Sequence, residues 1–478
     1  MERPHLHRGD EITVHLTDAA FEGKAVARHE GMVLFVERAV PGDTALVRVT
    51  AVKRSFAEAT LTRVLTPSPL RVEPRCRHFG VCGGCRWQQV EYAAQLRFKQ
   101  QHVVDALERI GGFTGVPVEP IVGSEHAYFY RGKMEYSFSR KQWLIEKPVS
   151  HDEGESPAVS AVYLGLHVPQ RYDKVLEIDD CQLQSPTSNR ILNATREFAR
   201  QHNLTVHQPE EEEGYLRFLV IRESKRTGER MVNLVTYSNE PEIMRAYTRM
   251  LLAEVPDLTT VVNTINSSRA QIAFGQREEI YLGEGFIREE IGGLRFKVSA
   301  SSFFQTNVPQ AERLYQTARE FAELVPDDVV YDLYSGTGTI ALYLADAVRR
   351  VVGVESVASA IRDAEKNAGE NGITNCAFVE GDLKDRLTKN TEWMNDLPRP
   401  TVVVVDPPRS GMHPKVVDEV VGLDARRIVY VSCNPATQAR DLKQLCAERY
   451  RLVKVRPVDM FPHTYHVENV AVLERKSN

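Results

Sequence analysis

Cys433 closes an apolar run, Ile428-Val-Tyr-Val-Ser-Cys-Asn-Pro435, and its placement is the clearest chemical signal in the chain. Such a run reads as a buried strand that delivers a thiol to its carboxyl end, the edge where open α/β sheets bind ligands. Lone thiols are usually small buried hydrophobes, and Cys376 and Cys446 are read that way. Cys433 differs because a polar Asn-Pro turn follows it. A free thiol near pKa 8.5 is only a few per cent thiolate at neutral pH, and a helix starting near Pro435 would raise that fraction. Two carboxylates complement it. Asp406 ends the run Val402-Val-Val-Val-Asp-Pro-Pro-Arg409, whose paired prolines stiffen the loop. Glu468 follows His466 near the C-terminus and is a candidate base, a role worth about 10²–10⁴-fold when correctly placed.

A thiolate and a carboxylate beside a methyl donor suit methylation of a pyrimidine ring on carbon. Uracil C5 is too weak a nucleophile to take a methyl group directly. Thiolate addition at C6 makes C5 an enolate carbon that can attack a sulfonium methyl. A base must then remove the C5 proton so that the cysteine is eliminated. The donor's own site is read from Asp332-Leu-Tyr-Ser-Gly336-Thr-Gly338-Thr339, which lies between a strand and a helix. Its glycines allow close backbone approach to a nucleoside. Glu355 ends the next strand about 20 residues on, where a ribose partner is expected. With Asp406, the set favours S-adenosylmethionine over a dinucleotide, although Ala341 stands where a third glycine would be.

The chain has 7 cysteines, and Cys76, Cys82 and Cys85 form a tight run to which the distant Cys181 adds a fourth thiol. In a reducing cytosol such a cluster means metal or redox chemistry rather than disulfides. The spacing leaves zinc and an iron–sulfur cluster both open, with the cluster slightly ahead.

These residues need several units to position them, since 478 residues exceed one core. Residues 1–68 alternate in short runs and predict a small β-barrel. Thr66-Pro-Ser-Pro69 reads as a linker. A helix is expected over 90–111, with Leu96, Val103, Val104, Leu107 and Ile110 as its apolar stripe. Residues 125–295 are mixed and their topology cannot be traced. Beyond 295, valine-rich runs alternate with helical stretches, including 341–349 and 359–371, which means a parallel sheet covered on both faces.

A net charge of −5 argues weakly against a nucleic-acid partner. Much of it sits in Glu210-Glu-Glu-Glu213 and His151-Asp-Glu-Gly-Glu155, which read as solvated insertions. The N-terminus lacks a signal-peptide apolar region and no run is long enough to span a bilayer, so the expected address is the cytoplasm.

Together these stretches resemble the RNA uracil-5 methyltransferases of the RumA/TrmA group, most closely the RumA-type branch acting on 23S ribosomal RNA. The resemblance implies three units. Residues 1–68, with Gly23-Lys-Ala-Val-Ala-Arg and Pro41-Gly-Asp, form an OB-like TRAM barrel. A mixed α+β central domain over 69–295 binds a [4Fe–4S] cluster through Cys76, Cys82, Cys85 and Cys181. A Rossmann-like methyltransferase domain occupies 296–478. A central helix, about 93–124, should lie on that last domain. The resemblance makes Cys433 the nucleophile and Glu468 the base, and it assigns donor contacts to Gln305, Tyr334, Thr339, Glu355, Asp382 and Asp406. Tyr130-Arg-Gly-Lys-Met-Glu-Tyr resembles a central-domain signature with Gly132 where Asn is usual.

The implied substrate is 23S ribosomal RNA, with transfer RNA as runner-up, and the implied protein is a monomer. Splaying a loop nucleotide into a pocket lets shape and stacking replace net basic charge, and Phe304, Phe461 and Tyr465 are candidate stacking surfaces. A non-catalytic assembly factor is disfavoured by the intact Cys433 and Glu468. A redox relay is disfavoured because nothing marks a second redox cofactor.

Overall fold

The computed structural model describes residues 6–144, 161–168, 171–388, 391–395 and 397–477. The acidic stretch 151–155 lies outside them, whereas residues 210–213 form an exposed turn, as expected of a solvated insertion.

Five strands close a barrel at the N-terminus: β1 (Glu11–Ala19), β2 (Ala25–His29), β3 (Met32–Glu37), β4 (Thr44–Val52) and β5 (Phe56–Thr66), in the order β1-β2-β3-β5-β4. Alternation along each strand sends Val14, Leu16, Leu34, Val36, Val47 and Val49 into one apolar interior. Asp43 anchors the exit from the barrel. It is fully buried, accepts the Ser68 N–H at 2.9 Å and forms a two-pronged ion pair with Arg71 at 2.7 Å.

Helix α1 (Tyr92–Ala106) continues into a wider turn, Leu107–Gly111. Two expectations fail here, the first only in part. Of the expected stripe, Val103 and Leu107 are buried in the catalytic core, Leu96 and Val104 are half-buried and Ile110 is exposed, and the inward face also carries Gln95, Lys99 and His102. Apolar periodicity misses those three because this face meets polar backbone. The helix also stops at Gly111 instead of running to 124. Gly112 and Gly115 take positive φ, and Pro117 and Pro120 follow. The chain then runs extended, with Val118 and Val122 bridging to Val455 and Val458. The helix does lie against the catalytic unit, as expected.

The untraced middle is a sheet of seven strands. β6 (Lys133–Ser139), β7 (Tyr163–Val168), β8 (Arg171–Glu177), β9 (Leu216–Glu223), β10 (Arg230–Thr236), β11 (Thr260–Ile265) and β12 (Arg277–Leu282) lie in the order β12-β11-β10-β9-β6-β7-β8. Helices α2 (Pro186–Gln201) and α3 (Pro241–Glu254) bury Ile191, Leu192, Phe198, Met244, Tyr247 and Leu251 against it. A hairpin, β13 (Phe286–Ile291) and β14 (Leu294–Ser299), straddles residue 295, and both strands sit in the catalytic core through Ile287, Ile291, Phe296 and Val298.

The C-terminal unit opens with α4 (Val308–Ala322). Strands β15 (Val329–Leu333), β16 (Arg350–Glu355), β17 (Cys376–Glu380), β18 (Val402–Val405) and β19 (Arg427–Ser432) then pair in parallel. Between them run α5 (Thr339–Leu344), α6 (Ala358–Glu370), α7 (Leu383–Thr388) and α8 (Pro414–Gly422), with α9 (Pro435–Leu445) after β19. The strand order is β17-β16-β15-β18-β19-β21-β20, where β20 (Tyr450–Val458) and β21 (Glu468–Arg475) form an antiparallel edge. Apolar clusters cover both faces, as valine runs without alternation require. The expected helix over 341–349 is shorter and starts earlier, giving way to a tighter turn at Ala345–Ala347. Cys376 and Cys446 are half-buried among these clusters.

Candidate active site

Strand pairing brings the two key residues together. Ser432 pairs with Asn469, so Cys433 and Glu468 occupy the next positions outward on antiparallel β19 and β21. In β18, Val405 aligns with Tyr430, which sets Asp406 at the same carboxyl edge. After Cys433, Asn434 caps α9 by accepting the Ala436 N–H at 3.1 Å and Pro435 begins the helix, so the thiol precedes a helix N-terminus.

The Pro-Pro-Arg loop is stapled to that helix. The Arg409 carbonyl accepts hydrogen bonds from Asn434 Nδ2 and Thr437 Oγ1, each at 3.2 Å. Arg440 donates to the Ser410 carbonyl at 2.9 Å. Arg409 projects toward Cys433 and lies 3.5 Å from His466 Nδ1.

Burial dominates the electrostatics. It raises Glu468 to about 8, with the Asp406 charge adding to the effect and Arg409 opposing it. Burial also raises Asp406 to about 7 and Asp332 to about 8. The Cys433 thiol is pushed up to about 11, first by burial and then by Glu468, while Arg409 pulls it down. Burial, and then Arg409, lowers His466 to about 4, so its imidazole is neutral at pH 7. Three clustered carboxyls held above their ordinary range are poised to receive a cation.

Two cavities flank the Pro408–Ser410 loop at this edge, and Cys433, Asp406 and Glu468, buried or half-buried beside that loop, are among the lining residues of neither. The first, about 410 Å³, is lined by Tyr334, Glu355, Gly381, Asp382, Pro408 and Met412 among others. Its floor is local in origin. Tyr334 takes a positive φ of 68°, and its N–H and that of Ser335 both donate to the Val354 carbonyl at 3.0 Å. Glu355 Oε2 accepts the Gly336 N–H at 3.0 Å, while Oε1 accepts the N–H groups of Ser356 and Val357 at 2.7 and 2.9 Å. Gly338 has a φ of 77°, and a Cβ there would come within 2.9 Å of Ala364 and Phe378. Asp382 accepts the Lys384 N–H at 2.8 Å. Thr339 lines neither cavity, because its hydroxyl meets Tyr315 OH at 3.1 Å.

The second cavity, about 520 Å³, lies across the loop. Pro408 and Ser410 face the first cavity and Arg409 the second. Gln305, Phe304, Phe461, Tyr465 and His466 line it, and so do all four of Cys76, Cys82, Cys85 and Cys181. Sequence reasoning gave no role to Arg409, Arg131 or Phe303, which also line it. Phe303 is 74% exposed, a large apolar side chain beside a polar pocket. Its position next to Phe304 and Gln305 was the available signal.

Gly132, the departure from the family signature, has a structural use. Its N–H donates to the Thr306 carbonyl at 2.6 Å and its carbonyl accepts the Glu223 N–H at 2.8 Å. A Cβ would approach the Glu223 carbonyl oxygen to 2.8 Å, so the close approach of these backbones requires glycine.

The cysteine set suits thiolate ligation. Cys82 Sγ accepts the Gly84 N–H at 3.4 Å and Cys85 Sγ accepts Gln88 Nε2 at 3.3 Å. Backbone donors from His78, Gln182 and Phe79 reach Cys76, and those of Leu183 and Gln184 reach Cys181. Burial pushes all four thiols up, and these donors offset part of that in favour of the anionic form that a metal requires. Among the described residues, no three His, Cys, Asp or Glu side chains converge tightly enough to hold a metal ion. The four thiols share the lining of one cavity.

A mostly parallel sheet covered on both faces, with its ligand cleft at the carboxyl edge, places the C-terminal unit among the doubly wound α/β proteins, and the comparisons carry this further. Residues 226–476 match the model for the tRNA (Uracil-5-)-methyltransferase family, and residues 6–62 match the TRAM domain. A protein of Porphyromonas gingivalis described as an uncharacterized RNA methyltransferase is 45% identical over 97% of this chain and 100% of its own length. One of Chlorobaculum tepidum, described likewise, is 42% identical over 98% of this chain and 97% of its own. The crystal structure of Pyrococcus abyssi tRNA (uracil-54, C5)-methyltransferase in complex with S-adenosyl-L-homocysteine superposes with a TM-score of 0.72 at 29% identity, covering 97% of this chain and 100% of that one. The chain belongs to the S-adenosylmethionine-dependent RNA uracil-5-methyltransferase family, with a TRAM domain at its N-terminus. Among the described residues, no helix is long and apolar enough to cross a membrane.

Proposed function

We propose that this protein methylates C5 of a uracil in 23S ribosomal RNA, with Cys433 as nucleophile and Glu468 as base. The observation that carries the reading is the register of β19 and β21, which sets these two residues side by side at the ligand edge beside Asp406. When bound, S-adenosylmethionine supplies an electrophilic methyl group and a positive charge. The Cys433 sulfur adds to C6 of the uracil, and C5 becomes the nucleophile that takes the methyl group. Glu468, as carboxylate, then removes the C5 proton, and the C6–S bond breaks to return the thiolate. Before ligands bind, the Cys433 thiol and the Glu468 carboxyl hold their protons at neutral pH, at about 11 and 8, and both protons must leave to solvent before the sulfur adds and the carboxylate accepts the C5 proton. Arg409 and an incoming cation act in the same direction on both groups.

Tyr334, Glu355 and Asp382 are assigned to the nucleoside of the donor, and Asp406 and Gln305 to its reacting end. Thr339, turned toward Tyr315, is assigned a backbone contact only. Phe303, Phe304, Phe461 and Tyr465 are assigned to stacking with the splayed nucleotides. A [4Fe–4S] cluster held by Cys76, Cys82, Cys85 and Cys181 is part of the proposal. It takes no step in the reaction and would tie the cysteine loop to the segment around Cys181. Visible absorbance with iron and sulfide by elemental analysis is expected, and zinc would overturn it.

Purified 23S ribosomal RNA and transfer RNA, each incubated with labelled donor and mapped, test the substrate. The similarity to the RumA-type branch supports the ribosomal substrate. The Pyrococcus abyssi enzyme, a transfer RNA methyltransferase, favours the second. Label appearing only in transfer RNA would reverse the choice. Replacing Glu468 with Gln should trap a methylated protein–RNA adduct that survives denaturant, whereas Cys433→Ala should form none.

A further inference from the structure

The segment between β20 and β21, residues 459–467, carries Tyr465 and His466 into the second cavity and leads directly into Glu468. Residues 459–463 are held by groups from outside β20 and β21. Asp459, fully buried, receives Lys99 Nζ at 2.5 Å on Oδ1 and Tyr92 OH at 2.8 Å on Oδ2. Lys99 Nζ also donates to the Phe461 carbonyl at 2.9 Å. Asn307 Nδ2 donates to the Met460 carbonyl at 2.9 Å, and Tyr130 OH to the Pro462 carbonyl at 3.1 Å. His463, at a φ of 65°, donates its N–H to Gln95 Oε1 at 2.9 Å, and its Nδ1 lies 3.2 Å from Gln95 Nε2. Its carbonyl accepts the N–H groups of Arg86 and Trp87, which directly follow Cys85, at 2.8 and 3.0 Å.

Lys99 and Gln95 are both fully buried and one turn apart on α1. A buried ammonium facing a buried carboxylate is a poor choice for stability, since apolar residues of similar volume often do as well or better. Its distinguishing property is direction. It holds two backbone positions and one side chain in a single arrangement, and it does so one short loop ahead of the base.

We infer that the buried polar face of α1, Gln95 and Lys99 together with Asp459, is a positioning device for Glu468. The cysteine loop, through Arg86 and Trp87, is its second anchor. This rests on Glu468 acting as the base. None of these residues reaches the reacting atoms, so they are positioning residues. Loosening them leaves the donor cleft and Cys433 in place, because those are built on β15, β16, β18 and β19. The step that suffers is removal of the C5 proton after methyl transfer, so the methylated covalent adduct persists.

The test uses the full chain with Lys99→Met and, separately, Gln95→Leu. Each is compared with wild type and Glu468→Gln for donor affinity, RNA affinity, product release and the fraction of protein trapped on RNA under denaturant. Donor affinity should stay within about twofold. RNA affinity should fall by no more than about 150-fold, the upper end of the roughly 1–3 kcal/mol of one stacked base, because the same segment carries Phe461 and Tyr465. Product release should fall by about 10²-fold, the usual cost of a misplacement near 1 Å, and the trapped fraction should rise toward that of Glu468→Gln. Thermal melting checks the fold, and if Lys99→Met does not fold, Gln95→Leu decides alone. Two results overturn the inference: wild-type release without trapping in the folded variants, or loss of donor binding in them. Absence of a trapped band in Glu468→Gln itself would instead refute the assignment of the base.

Discussion

The two cavities at the carboxyl edge are built in opposite ways. The donor side draws its lining from Tyr334 to Arg440, mostly strand ends and the first residues after them. The other side collects residues from Cys76 to His466, including the cysteine loop, the central sheet, the Phe303–Thr306 stretch and the segment before β21. One is a local product of βα turns and the other is an assembly. Removing one contact side chain should weaken one ligand in either site, whereas loosening the distant supports of the assembled site should disturb its geometry and leave the donor bound.

The largest effect is expected at the junction. Cys433→Ala should lower turnover by on the order of 10⁴–10⁶-fold, as loss of a covalent nucleophile does, with donor and RNA affinities retained. Appreciable turnover would break the comparison at its shared point. Next, Glu355→Ala removes an acceptor for three backbone N–H groups. At about 1.5–3 kcal/mol for such charged hydrogen bonds, donor affinity measured by calorimetry should fall about 10–100-fold while RNA affinity stays unchanged. Phe303→Ala should do the reverse. RNA binding in a filter assay weakens by the roughly 1–3 kcal/mol of one stacked base, and donor affinity is preserved. A loss of both ligands in either variant would blur the division.

The smallest effect concerns pH. Asp332, Asp406 and Glu468 hold their protons more tightly folded, at about 8, 7 and 8, than at their ordinary 3.8, 3.8 and 4.5. The folded state therefore binds more protons across pH 4 to 8. Their contribution to stability is complete below that window and falls as pH rises through it. Melting temperature of the ligand-free protein should decline toward pH 8. Preference for S-adenosylmethionine over the uncharged thioether product should grow over the same range, measured by calorimetry at pH 6 and 8. A preference independent of pH would remove the buried carboxyls from the donor's sulfonium.

Legibility follows the same division. The βα turns at Gly336, Glu355 and Asp406 were readable because each is a strand end with its ligand-facing residues adjacent in sequence. The barrel's alternation was readable for the same local reason. The polar inner face of α1 was not, because Gln95 and Lys99 are buried against carbonyls and a carboxylate some 360 residues away. The termination at Gly111 was readable, since the periodic stretch over 90–111 ends there at a glycine pair, and only the family resemblance extends the helix to 124. The central sheet stayed opaque because its two runs of consecutive strands, β6 to β8 and β9 to β12, join through β9 pairing back to β6, a contact across about 80 residues that no local pattern encodes.

Residue types alone determined which chemistry is available: one thiol and one carboxylate on strand ends, a glycine-bearing turn for a nucleoside, and four soft ligands. Only the tertiary structure decided that Cys433 and Glu468 are neighbours, since an antiparallel strand returning beside β19 is a pairing that no local propensity encodes. It also decided that the cysteine loop and the base-bearing segment share one wall. Contacts between segments hundreds of residues apart depend on which buried polar groups find partners, and that is settled only when the three units close on one another.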